Sequence, residues 1–150
     1  MKTTLAISQM SVSKDYEENI KKATQLIREA KSKGADLILL QELFERPYFC
    51  QIEDYERFDY AEEYEHSKTL EYFQKLAKEL EIVLPISFFE KSGNCYYNSI
   101  CVIDKDGERK GFYRKTHIPT GQCYEEKFYF TPGDTGFKVF DTKAGKVGIG

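Results

Sequence analysis

The alternation of short apolar segments with one long amphipathic segment near the start of the chain constrains the fold most. Residues 3–8 read as an apolar strand, and apolar side chains then recur every three or four residues from Tyr16 to Ala30, which is the spacing of one buried helix face. Residues 36–40 form a second apolar run, too short for a helix and typical of a strand covered on both faces. This order of elements predicts a βαβ unit.

Both ends of the predicted helix are marked. Asp15 is followed three residues later by Glu18, a spacing that suits a capping box at the start of a helix. Lys31 and Lys33 precede Gly34, and cations followed by glycine are typical of a helix C-terminus. We therefore predict that the helix lies between Asp15 and Gly34.

The helix and strand alternation repeats once and then gives way to hairpins. Apolar residues from Leu70 to Leu80 predict a second helix, and a strand over 82–89 follows it directly. Turn sequences and loops then separate four further predicted strands, which cover 97–103, 110–113, 137–140 and the segment from 146 onward. We predict one α/β domain over residues 1–150, truncated on its C-terminal side because the last strand is interrupted at Gly150.

Composition argues against several functional classes. The 22 basic and 25 acidic residues give a net charge of −3 without a continuous basic surface, so no nucleic-acid partner is expected. No apolar run approaches the ~20 residues that span a bilayer, and the first ten residues lack the apolar core of a signal peptide. We predict a cytoplasmic protein with no membrane partner.

Metal sites and two common catalytic motifs also lack support. The four cysteines show no CxxC spacing and only two histidines are present, so the thiols are interpreted as structural and neither a metal nor an organic cofactor is expected. His117 has no serine nucleophile in an elbow near it. Residues 133–136 lack the lysine and the following helix of a phosphate-binding loop.

Two charged residues directly follow predicted strands. Glu42 follows the strand over 36–40, and ligands of open α/β sheets bind beyond the carboxyl ends of strands. Lys115 comes just after the strand over 110–113. Each could equally be an ordinary surface side chain, and the acidic stretch 53–65 is read by default as solvated surface. Residues 128–130 could stack on a ligand, although an apolar anchor in the core is the favoured interpretation.

Several segments, taken in order and with their separations, resemble the successive motifs of the nitrilase superfamily of carbon-nitrogen hydrolases. The main ones are Leu40-Gln41-Glu42-Leu43-Phe44-Glu45, Tyr113-Arg114-Lys115-Thr116-His117-Ile118-Pro119 and Glu126-Lys127-Phe128-Tyr129-Phe130, supported by Tyr97-Asn98-Ser99-Ile100 and residues 132–140. The resemblance covers essentially the whole chain. It implies a four-layer αββα sandwich of the nitrilase type, of which this chain would form the incomplete N-terminal part.

The resemblance also implies roles for individual residues. Glu42 would be the general base, Lys115 would stabilise the oxyanion of the tetrahedral intermediate, and Glu126 would be the second carboxylate that orients the lysine. The attacking cysteine would lie beyond residue 150, since none of the four cysteines falls in the corresponding motif. Tyr48 is a candidate for the wall of the substrate pocket because it follows Glu42 closely.

Within the superfamily, the resemblance is greatest to the branch that hydrolyses N-carbamoylputrescine to putrescine, ammonia and carbon dioxide. It implies a small-molecule carbamoyl amine as substrate and a homo-oligomer built by pairing of subunits. Residues 1–150 alone, without the cysteine, should not turn over substrate. Two alternatives stay open: another activity of the superfamily, such as that of a β-ureidopropionase, an aliphatic amidase or a nitrilase, and a truncated, non-catalytic fragment or binding module.

Overall fold

The computed structural model describes residues 2–150. It contains eight strands and three α-helices in this part of the chain, together with 3-10 turns. In chain order these are β1 Leu5–Ile7, α1 Tyr16–Ser32, β2 Leu37–Leu39, β3 Glu62–Glu63, α2 Lys68–Leu80, β4 Leu84–Ser92, β5 Cys95–Ile103, β6 Arg109–Arg114, α3 Glu126–Tyr129, β7 Lys138–Thr142 and β8 Gly145–Ile149.

The predicted βαβ unit is confirmed. Strands β1 and β2 pair in parallel, and α1 connects them. The Asp15 side chain accepts a hydrogen bond from the Glu18 N–H, and Gly34 has a φ of +87° just beyond the helix, so both predicted ends are found. The second half of the capping box is absent from the described residues, because the Asp15 N–H donates to Ser13 Oγ at 3.0 Å and not to Glu18.

The largest sheet has the strand order β3-β4-β5-β6, and the pairs β4-β5 and β5-β6 are antiparallel. Strand β2 adjoins this sheet through backbone hydrogen bonds from Ile38 N–H to Val83 O and from Val83 N–H to Asp36 O. Helices α1 and α2 pack on one side of these strands. Their shared core contains Ala23 and Ile27 of α1, Leu70 and Phe73 of α2, and Ile38, Leu84, Ile86 and Ile103 of the strands.

The opposite side of the strands is only partly covered. Leu37 packs there against Val83, Val102 and Phe140, whereas Leu39 is 41% exposed and Ile7, which pairs with it across β1 and β2, is 86% exposed. The prediction that residues 36–40 are covered on both faces therefore holds for Leu37 and Ile38 and is wrong for Leu39. The physical reason is that α1 and α2 cover one face of this strand pair only.

A second core consists mainly of aromatic side chains and lies next to β4. Phe49 contacts the rings of Phe89, Tyr129 and Phe130 at centroid distances of 5.0 to 6.1 Å. Tyr129 and Phe130 are each 3% exposed, so the interpretation as an anchor in the core is confirmed for these two residues. Phe128 is only partly buried and packs against the same core. The acidic stretch 53–65 also contains more structure than predicted, namely a 3-10 helix over Tyr55–Tyr60 and strand β3.

None of the helices described in residues 2–150 is long and apolar enough to cross a membrane.

Candidate active site

Glu42 lies in a tight turn beyond β2. The next residue, Leu43, has a φ of +49°, a left-handed conformation that costs a side-chain-bearing residue roughly 1–2 kcal/mol. Its N–H donates to Ser87 Oγ of β4 at 3.0 Å, and its side chain is 1% exposed. Burial and this hydrogen bond hold the turn in place, and the turn directs Glu42 toward the ends of β5 and β6.

Lys115 directly follows β6 and is fixed on both sides of its backbone. Its N–H donates to the Asn98 carbonyl at 2.8 Å, and its own carbonyl accepts from the Gly133 N–H at 2.9 Å. Glu126 is the first residue of α3 and is 4% exposed. The segment after α3 therefore returns to the end of β6, which places Glu126 beside Lys115.

The structure brings the three predicted side chains together at the Lys115 ammonium. Lys115 Nζ is 2.9 Å from Glu126 Oε2 and 3.2 Å from Glu42 Oε1. The Glu126 side chain is 5% exposed, that of Lys115 30% and that of Glu42 47%. Glu126 is thus a buried anchor for the lysine, and Glu42 is the carboxylate that a solute can reach. Their catalytic roles remain predictions.

Burial lowers the pKa of Lys115, but the hydrogen bond to Glu126 and the negative charge of Glu42 outweigh it, so that its pKa is raised overall. The ammonium therefore stays charged at neutral pH. A fixed cation of this kind can stabilise negative charge that develops on a bound carbonyl oxygen.

Tyr48 contacts the site through Glu126. Its hydroxyl donates to Glu126 Oε1 at 2.6 Å, so the two oxygens of that carboxylate are taken by Tyr48 and Lys115. Burial and the bond to Glu126 both raise the pKa of Tyr48, and the hydroxyl therefore remains a donor. The structure shows Tyr48 as a partner of Glu126, and its predicted contact with substrate remains a prediction.

An open cavity of about 320 Å³ lies beside these groups. It is lined by Glu42, Lys115 and Asn98 together with apolar side chains of neighbouring strands, among them Leu39, Tyr113 and Ile149. The carboxyl end of β8 thus borders the same space as the candidate base and the ammonium.

Cys50 borders the candidate site, beside Tyr48 and Glu126, but its environment does not favour a reactive thiol. Cys50 is buried, and this burial, reinforced by the charge of Glu126, raises the pKa of its thiol to about 12, so it stays protonated and unreactive. Cys101 is buried on the helix-covered face of β5, and Cys123 is exposed in the loop before α3. Among residues 2–150, no three His, Cys, Asp or Glu side chains are grouped as ligands for a metal ion.

Sequence reasoning missed Asn98 and Arg114 as parts of this region. Asn98 Nδ2 donates to Glu42 Oε1 at 2.5 Å. Arg114 forms a largely buried ion pair with Glu90 just before Lys115. Both residues lie in segments that carry the family resemblance, but only the pairing of β4, β5 and β6 shows what their side chains contact.

Comparison with known proteins identifies the family. The carbon-nitrogen hydrolase family model matches residues 4–150. An N-carbamoylputrescine amidase of Oryza sativa subsp. japonica is 52% identical over 99% of this chain and 50% of its own length, and a citrullinase of Francisella tularensis is 46% identical over 97% of this chain and 51% of its own.

A solved structure agrees with these sequence matches. The crystal structure of a carbon-nitrogen hydrolase from Helicobacter pylori G27 superposes with a TM-score of 0.89 at 39% identity, covering 95% of this chain and 50% of that one. The α/β fold of the nitrilase type is therefore confirmed. The chain spans about half the length of the curated relatives it matches, and it belongs to the carbon-nitrogen hydrolase family.

Proposed function

We propose that the chain is the N-terminal part of an enzyme that hydrolyses the carbamoyl group of N-carbamoylputrescine. The observation that carries the proposal is the convergence of Glu42 and Glu126 on the Lys115 ammonium, next to the carboxyl end of β8. In this proposal a cysteine that follows residue 150 completes the site. Residues 1–150 would then form the hydrolase domain up to its nucleophile.

The proposed chemistry follows from these positions. Glu42 takes the proton of the cysteine thiol as the sulfur attacks the carbamoyl carbon, and Lys115 stabilises the negative charge that moves onto the carbonyl oxygen. Glu42 returns the proton to the departing nitrogen as the carbon-nitrogen bond breaks. It then takes a proton from the water that attacks the S-carbamoyl intermediate and passes this proton to the departing cysteine sulfur. The carbamic acid that is released decomposes to carbon dioxide and the second amine.

Two observations support a carbamoyl amine as substrate. The rice relative is an N-carbamoylputrescine amidase at 52% identity. In addition, seven carboxylates and a single arginine occupy residues 53–65, and such an excess of negative charge favours the approach of a cationic putrescine tail.

Citrulline is the second candidate substrate, because it carries the same ureido group as N-carbamoylputrescine and because the Francisella relative is a citrullinase. The two compounds differ at the other end, where citrulline carries an amino acid group and carbamoylputrescine a single ammonium. We further propose that the protein is cytoplasmic and that it forms a homo-oligomer. The exposed apolar face around Ile7 and Leu39 supports only the second of these proposals.

The test begins with the codons that follow Gly150 in the gene. The complete protein is then assayed for ammonia release from N-carbamoylputrescine, citrulline, N-carbamoyl-β-alanine and an aliphatic amide. We expect a cysteine within the next few residues and the highest kcat/KM for N-carbamoylputrescine. Glu42→Gln is the control for turnover at this site, and a preference for citrulline would assign the second candidate. A stop codon without the cysteine would contradict catalysis.

A further inference from the structure

Asn98 links Glu42 to Lys115 through two different groups of one residue. Its side-chain Nδ2 donates to Glu42 Oε1 at 2.5 Å, and its backbone carbonyl accepts the Lys115 N–H at 2.8 Å. Asn98 is 5% exposed and lies within β5, opposite Phe89 of β4. The residue that makes the link is therefore held by the sheet.

These contacts give the two carboxylate oxygens of Glu42 different hydrogen-bonding environments. Oε1 accepts from the Asn98 amide and also contacts Lys115 Nζ, whereas no hydrogen bond from residues 2–150 reaches Oε2. An oxygen that already accepts two donors is a poor acceptor for a third proton. The oxygen left open is the one that can serve as a base.

We propose that Asn98 is a positioning residue that holds the Glu42 carboxylate so that Oε2, not Oε1, takes the proton of the nucleophile. The inference rests on the proposed function and adds to it the oxygen that acts and the group that selects it. A neutral amide suits this task because it donates to the carboxylate without neutralising it. A cation in the same place would compete with Lys115 for Glu42.

The amide also limits how Glu42 can move. Nearly half of the Glu42 side chain is exposed, so Lys115 alone would leave the carboxylate free to rotate about a single contact. Two donors on one oxygen, one from β5 and one from the residue that follows β6, restrict this rotation. Loss of the amide should therefore affect the catalytic step more than the binding of substrate.

The substitutions Asn98→Ala and Asn98→Asp in the complete protein test whether Asn98 positions the Glu42 carboxylate. For Asn98→Ala we expect kcat to fall roughly 10- to 100-fold, with KM changed by less than about threefold. Asn98→Asp keeps the shape but puts a second carboxylate against Glu42, so the acidic limb of its pH–rate profile should move to higher pH. Gln74→Ala is the matched control. The Gln74 amide also donates one hydrogen bond, to the Gly107 carbonyl on the hairpin between β5 and β6. In this variant kcat should stay within about twofold of wild type.

Wild-type kcat in Asn98→Ala, or an unshifted acidic limb in Asn98→Asp, would overturn the proposal. The changes in kcat and KM relative to wild type can be measured on whichever amide the enzyme hydrolyses. A wrong substrate assignment therefore does not affect these comparisons. If the wild type hydrolyses none of the amides, the proposed function fails, and a crystal structure of Asn98→Ala still tests the positioning. We expect the Glu42 carboxylate to rotate about its remaining contact with Lys115, and an unchanged Glu42 conformation would refute the role.

Discussion

The Lys115 ammonium forms ion pairs with two carboxylates that come from distant parts of the chain. Glu126 is almost fully buried and bonds both Lys115 and Tyr48, whereas Glu42 is half exposed. A buried carboxylate that loses its cation is strongly destabilising, since its desolvation is no longer compensated. The lysine should therefore contribute to folding as well as to the proposed chemistry, and substitutions can separate the two contributions.

Lys115→Met removes the ammonium and keeps most of the apolar stem. We expect it to lower the free energy of unfolding by roughly 3 kcal/mol, because Glu126 is left buried without its cation, and to abolish detectable turnover of the complete protein. Urea unfolding and ammonia release measure the two effects. The matched control is Lys115→Met combined with Glu126→Gln, which should regain stability but not activity. Regained activity in that double variant would contradict the role of Lys115.

The turn between β2 and the 3-10 helix Phe49–Gln51 carries Glu42 at one end and the buried Glu45 at the other. Burial raises the pKa of Glu45 to about 7, and the neighbouring charge of Glu62 adds to this. Glu45 Oε2 has no hydrogen-bond partner among residues 2–150. The folded protein therefore retains the Glu45 proton to higher pH than the unfolded chain does.

This difference predicts how stability changes with pH. Because the pKa is raised on folding, the stability linked to Glu45 is complete at pH values below its ordinary range and is lost as pH rises through about 7. Glu45→Gln should reduce the fall in unfolding free energy between pH 5 and pH 8.5 by roughly 2–3 kcal/mol. Urea unfolding at a series of pH values measures how the free energy of unfolding changes with pH in each variant. Glu53→Gln, an exposed change of equal charge, should leave the fall unaltered.

The loop between α3 and β7 is a second element that holds the site. A Cβ added at Gly133 would lie 2.0 Å from the Arg114 carbonyl oxygen, which leaves no room for a side chain. Gly133→Ala should therefore push this loop off Lys115 and lower the free energy of unfolding by roughly 1–3 kcal/mol or more. Thermal unfolding measures the change. Gly148→Ala, where an added Cβ meets nothing within 4 Å, is the control, and equal effects of the two changes would refute the clash.

Across the molecule, patterns among residues close in sequence predicted the helices and strands, whereas the geometry of the site depends on contacts between residues far apart in sequence. Asp15 and Gly34 mark helix ends because capping involves residues only a few positions apart. The contact of Asn98 with Glu42 joins positions 56 residues apart, and it depends on the register of β5, which turn sequences alone do not define. The exposure of Leu39 also escaped prediction, since a short apolar run looks the same whether one or two of its faces are covered.

That exposed face leads to a prediction about association. The register of β1 and β2 places Leu5, Ile7 and Leu39 on the side away from α1, and they are 68%, 86% and 41% exposed. Adjacent apolar side chains of this size favour burial against another surface. Residues 1–150 prepared alone should therefore self-associate in light scattering, and the combined change Ile7→Lys and Leu39→Lys should reduce the apparent mass toward that of a monomer. The control is Tyr55→Lys, which changes a residue that is 80% exposed on a different segment. It should leave the apparent mass unchanged. A monomer at every concentration before any substitution would show that this face does not drive association.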